Sequence, residues 1–498
     1  MVTMTQTTEV PESTAPHHRV AIIGSGFAGL GMAIRLRQHR IDDFVILERA
    51  DDLGGTWYAN TYPGCQCDVP SLLYSYSFAP NPDWSRAYAP QAEIEEYIRR
   101  CADHYDVKRS VRFGHDVLDA RWDADARRWS ITTSQGPYTA DLLVVGSGGL
   151  SEPALPDIPG LADFEGAVFH SARWDHDHDL TGERVAAIGT GASAIQFVPR
   201  IQQVADHLSV FQRTAPWIIP RNDRAFTGWE RALFRRVPLA QRLARAFVYW
   251  TRELLVIPLT RRPAMTAVAA GQARRYLEAQ VADPELRERL TPDYTLGCKR
   301  VLLSDDYLQS LTRPNVALVT SGIREVRAHD IVTEDGTEHP VDTIVLGTGF
   351  EATEPPIARR VHGRDGRTMR EHWADGMEAY LGTTVAGFPN LFMLTGPNTG
   401  LGHSSMILMM ESQFNYIIDA VETMDARNLA TLEVRPPVVA DYNRALQRRL
   451  GATVWNSGCS SWYLDANGRN TLMWPDFTWK FRQRTRRFDA ASYTTSYR

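Results

Sequence analysis

Two short segments constrain this chain more than any other feature. In the first, Val20-Ala-Ile-Ile23 runs into Gly24-Ser-Gly26-Phe27-Ala-Gly29, then into a small, apolar helical pattern through Arg40 and a strand from Phe44 to Leu47. A strand, glycine turn and helix in this order lets the backbone approach a pyrophosphate at the helix N-terminus. Glu48 stands 24 residues beyond Gly24, where a carboxylate at the end of the second strand accepts hydrogen bonds from a ribose diol. A glycine turn alone is common; strand, helix and acid in register specify a dinucleotide site. The unit recurs at Arg184-Val-Ala-Ala-Ile188, Gly189-Thr190-Gly191-Ala192-Ser193-Ala194, a helical stretch that includes Ile195 and Gln196 and runs to about Gln203, and the strand His207 to Phe211. At the same offset from its first glycine stands Arg213. A guanidinium pairs with a 2′-phosphate that an acid would repel, so the first unit is expected to hold FAD and the second NADPH.

The remaining composition narrows the class. The chain has 498 residues, of which 43% are hydrophobic and 23% charged, with a formal net charge of −5. That excludes disorder over most of the length and offers no basic field for nucleic acid. Five cysteines, an odd number without regular spacing, lead one to expect reduced thiols in a cytoplasmic setting and no disulfide. Residues 1–18 lack the basic start and apolar run of a signal peptide and read as a tail. The most apolar long stretch, Ala246 to Thr260, is interrupted by Arg252 and Glu253, so no transmembrane segment is expected.

A second repeat marks domain crossings: Asp141-Leu-Leu-Val-Val-Gly146-Ser-Gly148 and Asp342-Thr-Ile-Val-Leu-Gly347-Thr-Gly349. The expected architecture is α/β with two Rossmann-like dinucleotide-binding domains. An NADP domain at 151–343 is inserted into a discontinuous FAD domain made of 19–150 and 344–498. Residues 227–290, rich in Arg, Leu and Ala at helical spacing, are expected to form a helical subdomain over the cleft, with a membrane-surface helix as the alternative.

Two nucleotide sites imply hydride transfer from NADPH to flavin. Cys65-Gln66-Cys67 is poorly spaced for a ring disulfide and lacks a second ligand pair for zinc, so the two thiols are expected to pack near the cofactor. The run Asp175-His-Asp-His178-Asp reads as a solvated loop, and no metal is expected.

Gly54-Gly55-Thr56-Trp57-Tyr-Ala-Asn-Thr-Tyr62-Pro63-Gly64-Cys-Gln-Cys-Asp68, and the pattern Phe164-x-Gly166-x-x-x-His170-x-x-x-Trp174-Asp175, resemble the two signatures of type I Baeyer-Villiger monooxygenases. These are FAD- and NADPH-dependent enzymes that use O2 to insert oxygen beside a ketone carbonyl through a C4a-peroxyflavin, giving an ester or lactone. Trp174-Asp175 favours them over the related N- and S-oxygenases, which remain the alternative. A flavin-bound redox-responsive protein without turnover is a third reading. Gly297-Cys298-Lys299-Arg300 resembles the segment that supplies the catalytic arginine; the resemblance makes Arg300 that residue and Asp68 the carboxylate that orients it. It also implies flavin contacts at Glu48, Thr56, Trp57, Asp68, Tyr74, Val117 and Met406. NADP contacts fall at Gln66, Cys67, Asp68, Thr190 through Gln196, Arg213, Thr214, Lys299 and Arg300, with Trp462 closing over the nicotinamide. His170 is expected to be structural, coupling the two domains. Phe350, Trp373, Trp455 and Trp474 are candidates for the pocket wall or for core.

Overall fold

The computed structural model describes residues 15–498, so residues 1–14 of the expected tail lie outside it. His17 and His18 belong to the first strand, His17–Ile23, rather than to the tail. They are recruited because the partner strand Gly136–Val145 is longer than the apolar stretch Val20–Ile23 and pairs with them at Thr139 and Ala140.

Two sheets organise the chain. The first has a parallel centre of Val111–Arg112, Phe44–Leu47, His17–Ile23 and Gly136–Val145, joined by Leu391–Met393 from far along the sequence. An antiparallel meander through Val117–Asp123 and Arg128–Thr133 extends it. The second sheet is wholly parallel: Val316–Val319, His207–Phe211, Arg184–Ile188, Thr343–Leu346 and Ala167–His170. The central parallel strands of both sheets are buried on two faces and read as near-continuous apolar runs, whereas the meander strands alternate buried and exposed residues.

Thr343–Leu346 corrects the expected return at residue 344. It is hydrogen-bonded between Arg184–Ile188 and Ala167–His170, so the chain leaves the second sheet only after Leu346. The two acid, strand and Gly-small-Gly repeats are equivalent parts of the two units. A Cβ on Gly24 would lie 3.0 Å from the Gly146 carbonyl oxygen, and one on Gly189 would lie 2.5 Å from that of Gly347. The two crossings between the sheets run side by side, the Ala154 amide donating to Gly349 (2.9 Å) and that of Glu351 to Glu152 (3.1 Å).

Residues 227–290 are helical as their spacing implies, with helices Gly228–Arg236, Pro238–Glu253, Thr266–Gln280 and Pro284–Arg289. No helix among the described residues is long and apolar enough to cross a membrane. Trp455 and Trp474 are fully buried in a cluster with Leu401 and Met409, and Trp373 lies under the first sheet, so all three are core.

The expectation of five reduced thiols is overturned. Cys298 and Cys459 form a disulfide across 161 residues of sequence, while Cys65, Cys67 and Cys101 are free and buried. Tertiary folding brings the Cα atoms to 6.3 Å, within bridging range, a proximity that neither residue count nor spacing encodes.

Candidate functional site

The first glycine turn is shaped by close packing. Gly24 has φ +92°, and a Cβ on Gly29 would fall 1.9 Å from the Gly24 carbonyl oxygen, so the helix Phe27–Gln38 lies directly on the turn. The second glycine pair, Gly54 and Gly55, folds back over it: a Cβ on Gly55 would sit 3.0 Å from the Gly26 Cα. Glu48 is buried at the end of its strand. Its Oε2 accepts from the Ser25 amide (2.7 Å) and hydroxyl (2.8 Å), and its Oε1 from the Ala50 amide (2.9 Å). Val117 is buried at the start of the meander, two residues past His115, whose amide donates to the Glu48 carbonyl (2.8 Å).

Thr56 and Trp57 open the short helix Thr56–Ala59. The Trp57 Nε1–H donates to the Tyr74 hydroxyl (3.0 Å), and the Phe27 ring meets Tyr74 edge-on at 5.2 Å. The segment that follows reaches the second unit. The Gln66 amide donates to Gln196 Oε1 (2.9 Å), and Gln196 Nε2–H donates to the Gln66 carbonyl (3.1 Å). Gly64 fits against this helix because a Cβ there would be 2.7 Å from the Gln196 carbonyl oxygen. Thus Gln66, Cys67 and Asp68 come from the first unit but sit at the mouth of the second.

Arg300 and Asp68, 232 residues apart, meet at this junction. The guanidinium donates through Nε (2.9 Å) and a terminal nitrogen to one carboxylate oxygen. Burial works against the Asp68 charge, but the guanidiniums of Arg300 and Arg221 hold its carboxyl below the usual carboxylate range. Reciprocally, Asp68 raises the Arg300 pKa further still. The Tyr463 hydroxyl faces Arg300; burial pushes it up to about 12, with Arg300 pulling the other way. At the second nucleotide turn, the Thr190 hydroxyl donates to the Thr214 carbonyl (3.4 Å), and Ala192 and Ser193 lead into the helix Ala194–Ile201. Arg213 and Lys299 converge beside it. Burial and the neighbouring Arg213 charge lower the Lys299 pKa, and neither cation has a carboxylate in salt-bridge range among the described residues. Two like charges brought together in this way suit a dianion such as a 2′-phosphate.

Met406 begins the helix Met406–Ala426, whose N-terminus is capped by the Ser405 hydroxyl accepting from the Ile407 amide. In the preceding loop, Thr395 Oγ1, Asn398 Oδ1 and Ser404 Oγ are buried without hydrogen-bond partners among the described residues. Buried polar atoms are paired in folded proteins, and a flavin ring edge with alternating donors and acceptors fits this loop. The residues present therefore fit both cofactors.

The second signature braces the two units. A Cβ on Gly166 would lie 2.1 Å from the Asp342 carbonyl oxygen, and Phe164 packs on the core beneath the second sheet. Trp174 packs against Phe169 and against Phe197 of the helix Ala194–Ile201. Asp175 caps its own turn by accepting from the Asp177 amide (3.0 Å). His170 Nδ1 accepts from the Ala172 amide (3.1 Å), and its ring meets Phe350 of the return crossing edge-on. Burial lowers its pKa, keeping the imidazole neutral. Trp462 is half exposed, with its ring against that of Tyr463, the residue that faces Arg300. Tyr463 and Arg221 are the residues that sequence reading missed. Adjacency to Trp462 was the only available sign for Tyr463, and Arg221 had none.

A family model described as flavin-binding monooxygenase-like matches residues 17–258. The chain is 53% identical to a Baeyer-Villiger monooxygenase of Streptomyces coelicolor, covering 97% of this chain and 93% of that one. It is 50% identical to one of Pseudomonas aeruginosa, covering 98% and 94%. The chain belongs to the Baeyer-Villiger monooxygenase family. Among solved members, an oxidised steroid monooxygenase bound to NADP superposes with a TM-score of 0.85 at 33% identity, over 97% of this chain and 100% of that one. Cyclohexanone monooxygenase from Rhodococcus sp. Phi1 bound to NADP+ does so with a TM-score of 0.87 at 28% identity, over the same shares. As a Baeyer-Villiger monooxygenase the chain has two Rossmann-type domains and is an FAD- and NADPH-dependent enzyme.

Proposed function

We propose that this chain converts a ketone, with O2 and NADPH, to an ester or lactone, and that Arg300 is the catalytic residue. The observation that carries the assignment is the Arg300–Asp68 ion pair at the junction of the two nucleotide units. Bound FAD supplies the hydride acceptor and the centre of oxygen activation. The first glycine turn, with Gly24, Gly26 and Gly29, holds its pyrophosphate, Glu48 its ribose, and Thr56, Trp57, Tyr74 and Met406 its ring. Arg213 and Lys299 hold the 2′-phosphate of NADPH on the second turn, with Gln66 and Gln196 closing the space between. Arg300 places a permanent positive charge where negative charge develops on the ketone oxygen, and Asp68 fixes the guanidinium there in advance, which is how oxyanion stabilisation gains most. His170, neutral and buried, props the crossings and moves no proton.

The domain assignment follows: FAD in the first unit, NADPH in the inserted second one, with the crossing after Leu346. NADPH dependence supports a cytoplasmic location. In the test, Arg300→Ala keeps NADPH-driven flavin reduction while ester formation falls by about 10²–10³-fold. A normal ester yield overturns the role. Product analysis on paired ketone and thioether substrates separates this reading from an N- or S-oxygenase, for which ester formation would be absent.

A further inference from the structure

The helix Pro238–Glu253 is turned inside out. Its two buried side chains, Gln241 and Glu253, are polar, with only the small Ala240 and Ala244 packing on the core beside them, and the inward polar groups are tied to the body of the protein. Gln241 Nε2–H donates to the Asn81 carbonyl (2.6 Å), Arg245 to the Leu72 carbonyl (2.6 Å), and Arg252 to the Tyr88 hydroxyl (2.9 Å). Glu253 is 1% exposed and accepts from the Thr478 amide (3.0 Å) and hydroxyl (2.6 Å). These bonds fix the helix rotation. The opposite side, facing solvent, is Leu239, Leu243, Phe247, Trp250 and Leu254, at spacings of four, four, three and four. Phe247 is 72% exposed, Leu243 63% and Trp250 57%. Scattered exposed apolar residues are normal, but a contiguous stripe along sixteen residues with a locked polar back marks an interaction surface.

Charge selects the partner. Of the eight arginines in residues 228–268, Arg245 and Arg252 are tied inward and Arg235 and Arg261 pair with Asp83 and Asp476, while Arg236, Arg242 and Arg262 are exposed with no carboxylate in salt-bridge range among the described residues. The two glutamates of that stretch are spoken for, Glu230 by Arg224 and Glu253 in the interior, whereas Arg242 lies exposed within the stripe itself. A second copy of the chain docked by a two-fold axis would set this arginine-rich face against itself. Leu, Phe and Trp on one side of a helix flanked by arginines is the composition that lies in a lipid headgroup layer, where each arginine gains from anionic lipid.

We propose that the solvent face of Pro238–Glu253 is a docking surface for an anionic lipid bilayer. The helix lies in the plane of the interface, with Leu243, Phe247 and Trp250 in the acyl boundary and Arg242 at the headgroups. No helix among the described residues is long and apolar enough to cross the bilayer.

The test uses the full chain loaded with FAD and vesicles of equal parts phosphatidylcholine and phosphatidylglycerol, against phosphatidylcholine alone. Flotation is expected to show at least about tenfold stronger partitioning to the anionic vesicles, the gain from one or two arginines at the surface, and to lose that preference at high salt. The double variant Phe247→Glu, Trp250→Glu is expected to abolish partitioning with unchanged thermal stability and unchanged oxygenation of a water-soluble ketone. Equal or no partitioning to both vesicle types overturns the proposal. So does full partitioning by the variant. A wild-type dimer that the variant converts to monomer also overturns it, assigning the face to a second copy instead.

Discussion

The two glycine turns are built alike and finished differently. Each faces a Gly-small-Gly strand end, and each carries its deciding residue at the same offset. The first unit is packed tighter: Gly29 leaves no room for a β-carbon against Gly24, whereas the second unit already has Ala194 at that place and a Cβ on Gly191 would meet nothing within 4 Å. The deciding residues differ in the same sense. Glu48 is buried with its oxygens occupied by backbone amides and a hydroxyl, while Arg213 is exposed beside Lys299 with no carboxylate in salt-bridge range among the described residues. A closed pocket suits a cofactor that stays, and an open cationic one suits a cofactor that arrives and leaves.

The contrast is sharpest at the third position of each turn. Gly29→Ala is expected to abolish FAD retention, read as the flavin absorbance that survives gel filtration. Ala194→Gly is expected to leave NADPH-driven activity intact and cost about 1 kcal/mol of stability in thermal melts. Equal tolerance at both sites would dissolve the comparison. Next in size, Arg213→Ala and Lys299→Ala are each expected to weaken NADPH by roughly 10- to 100-fold, as for a lost charge-assisted hydrogen bond, with NADH unchanged. The ratio of kcat/KM for the two nucleotides checks this.

A smaller effect is expected of the disulfide, which ties the Lys299–Arg300 segment to the loop before Trp462. Cys459→Ser should lower stability by about 2–4 kcal/mol in denaturant titration, and reduced wild type should match the variant. The smallest expectation concerns pH. Asp68 has a lowered folded-state pKa, so its contribution is complete above the unfolded value of about 4 and is lost only as pH falls through the folded value. The pH profile of ester formation should therefore show no limb from the Asp68–Arg300 pair between about pH 5 and 8, and a limb there would mean that the carboxylate is not held as described.

What was legible in the sequence was what consecutive residues write. A glycine turn constrains its own backbone, so Gly24, Gly29 and Gly189 announced both units, and the offset to Glu48 and Arg213 carried the choice of nucleotide. Arg300 and Asp68 were legible only through their motifs, since nothing local says that residues 232 apart will pair. The boundary at 344 failed because the two acid-and-strand repeats look alike, and only hydrogen-bond pairing says which sheet a strand joins. The helix Pro238–Glu253 was legible as a helix, but its inward face was not. Rotation is set by Asn81, Tyr88 and Thr478, distant groups whose hydrogen bonds outweigh the usual preference for burying Leu and Phe.

The Cys298–Cys459 bond also changes what the chain is as an object. It makes residues 298 to 459 a closed ring that contains the return crossing and excludes the outward one. A protease that cuts once anywhere inside that ring does not divide the molecule: the two fragments migrate as one under non-reducing conditions and part only when a thiol is added.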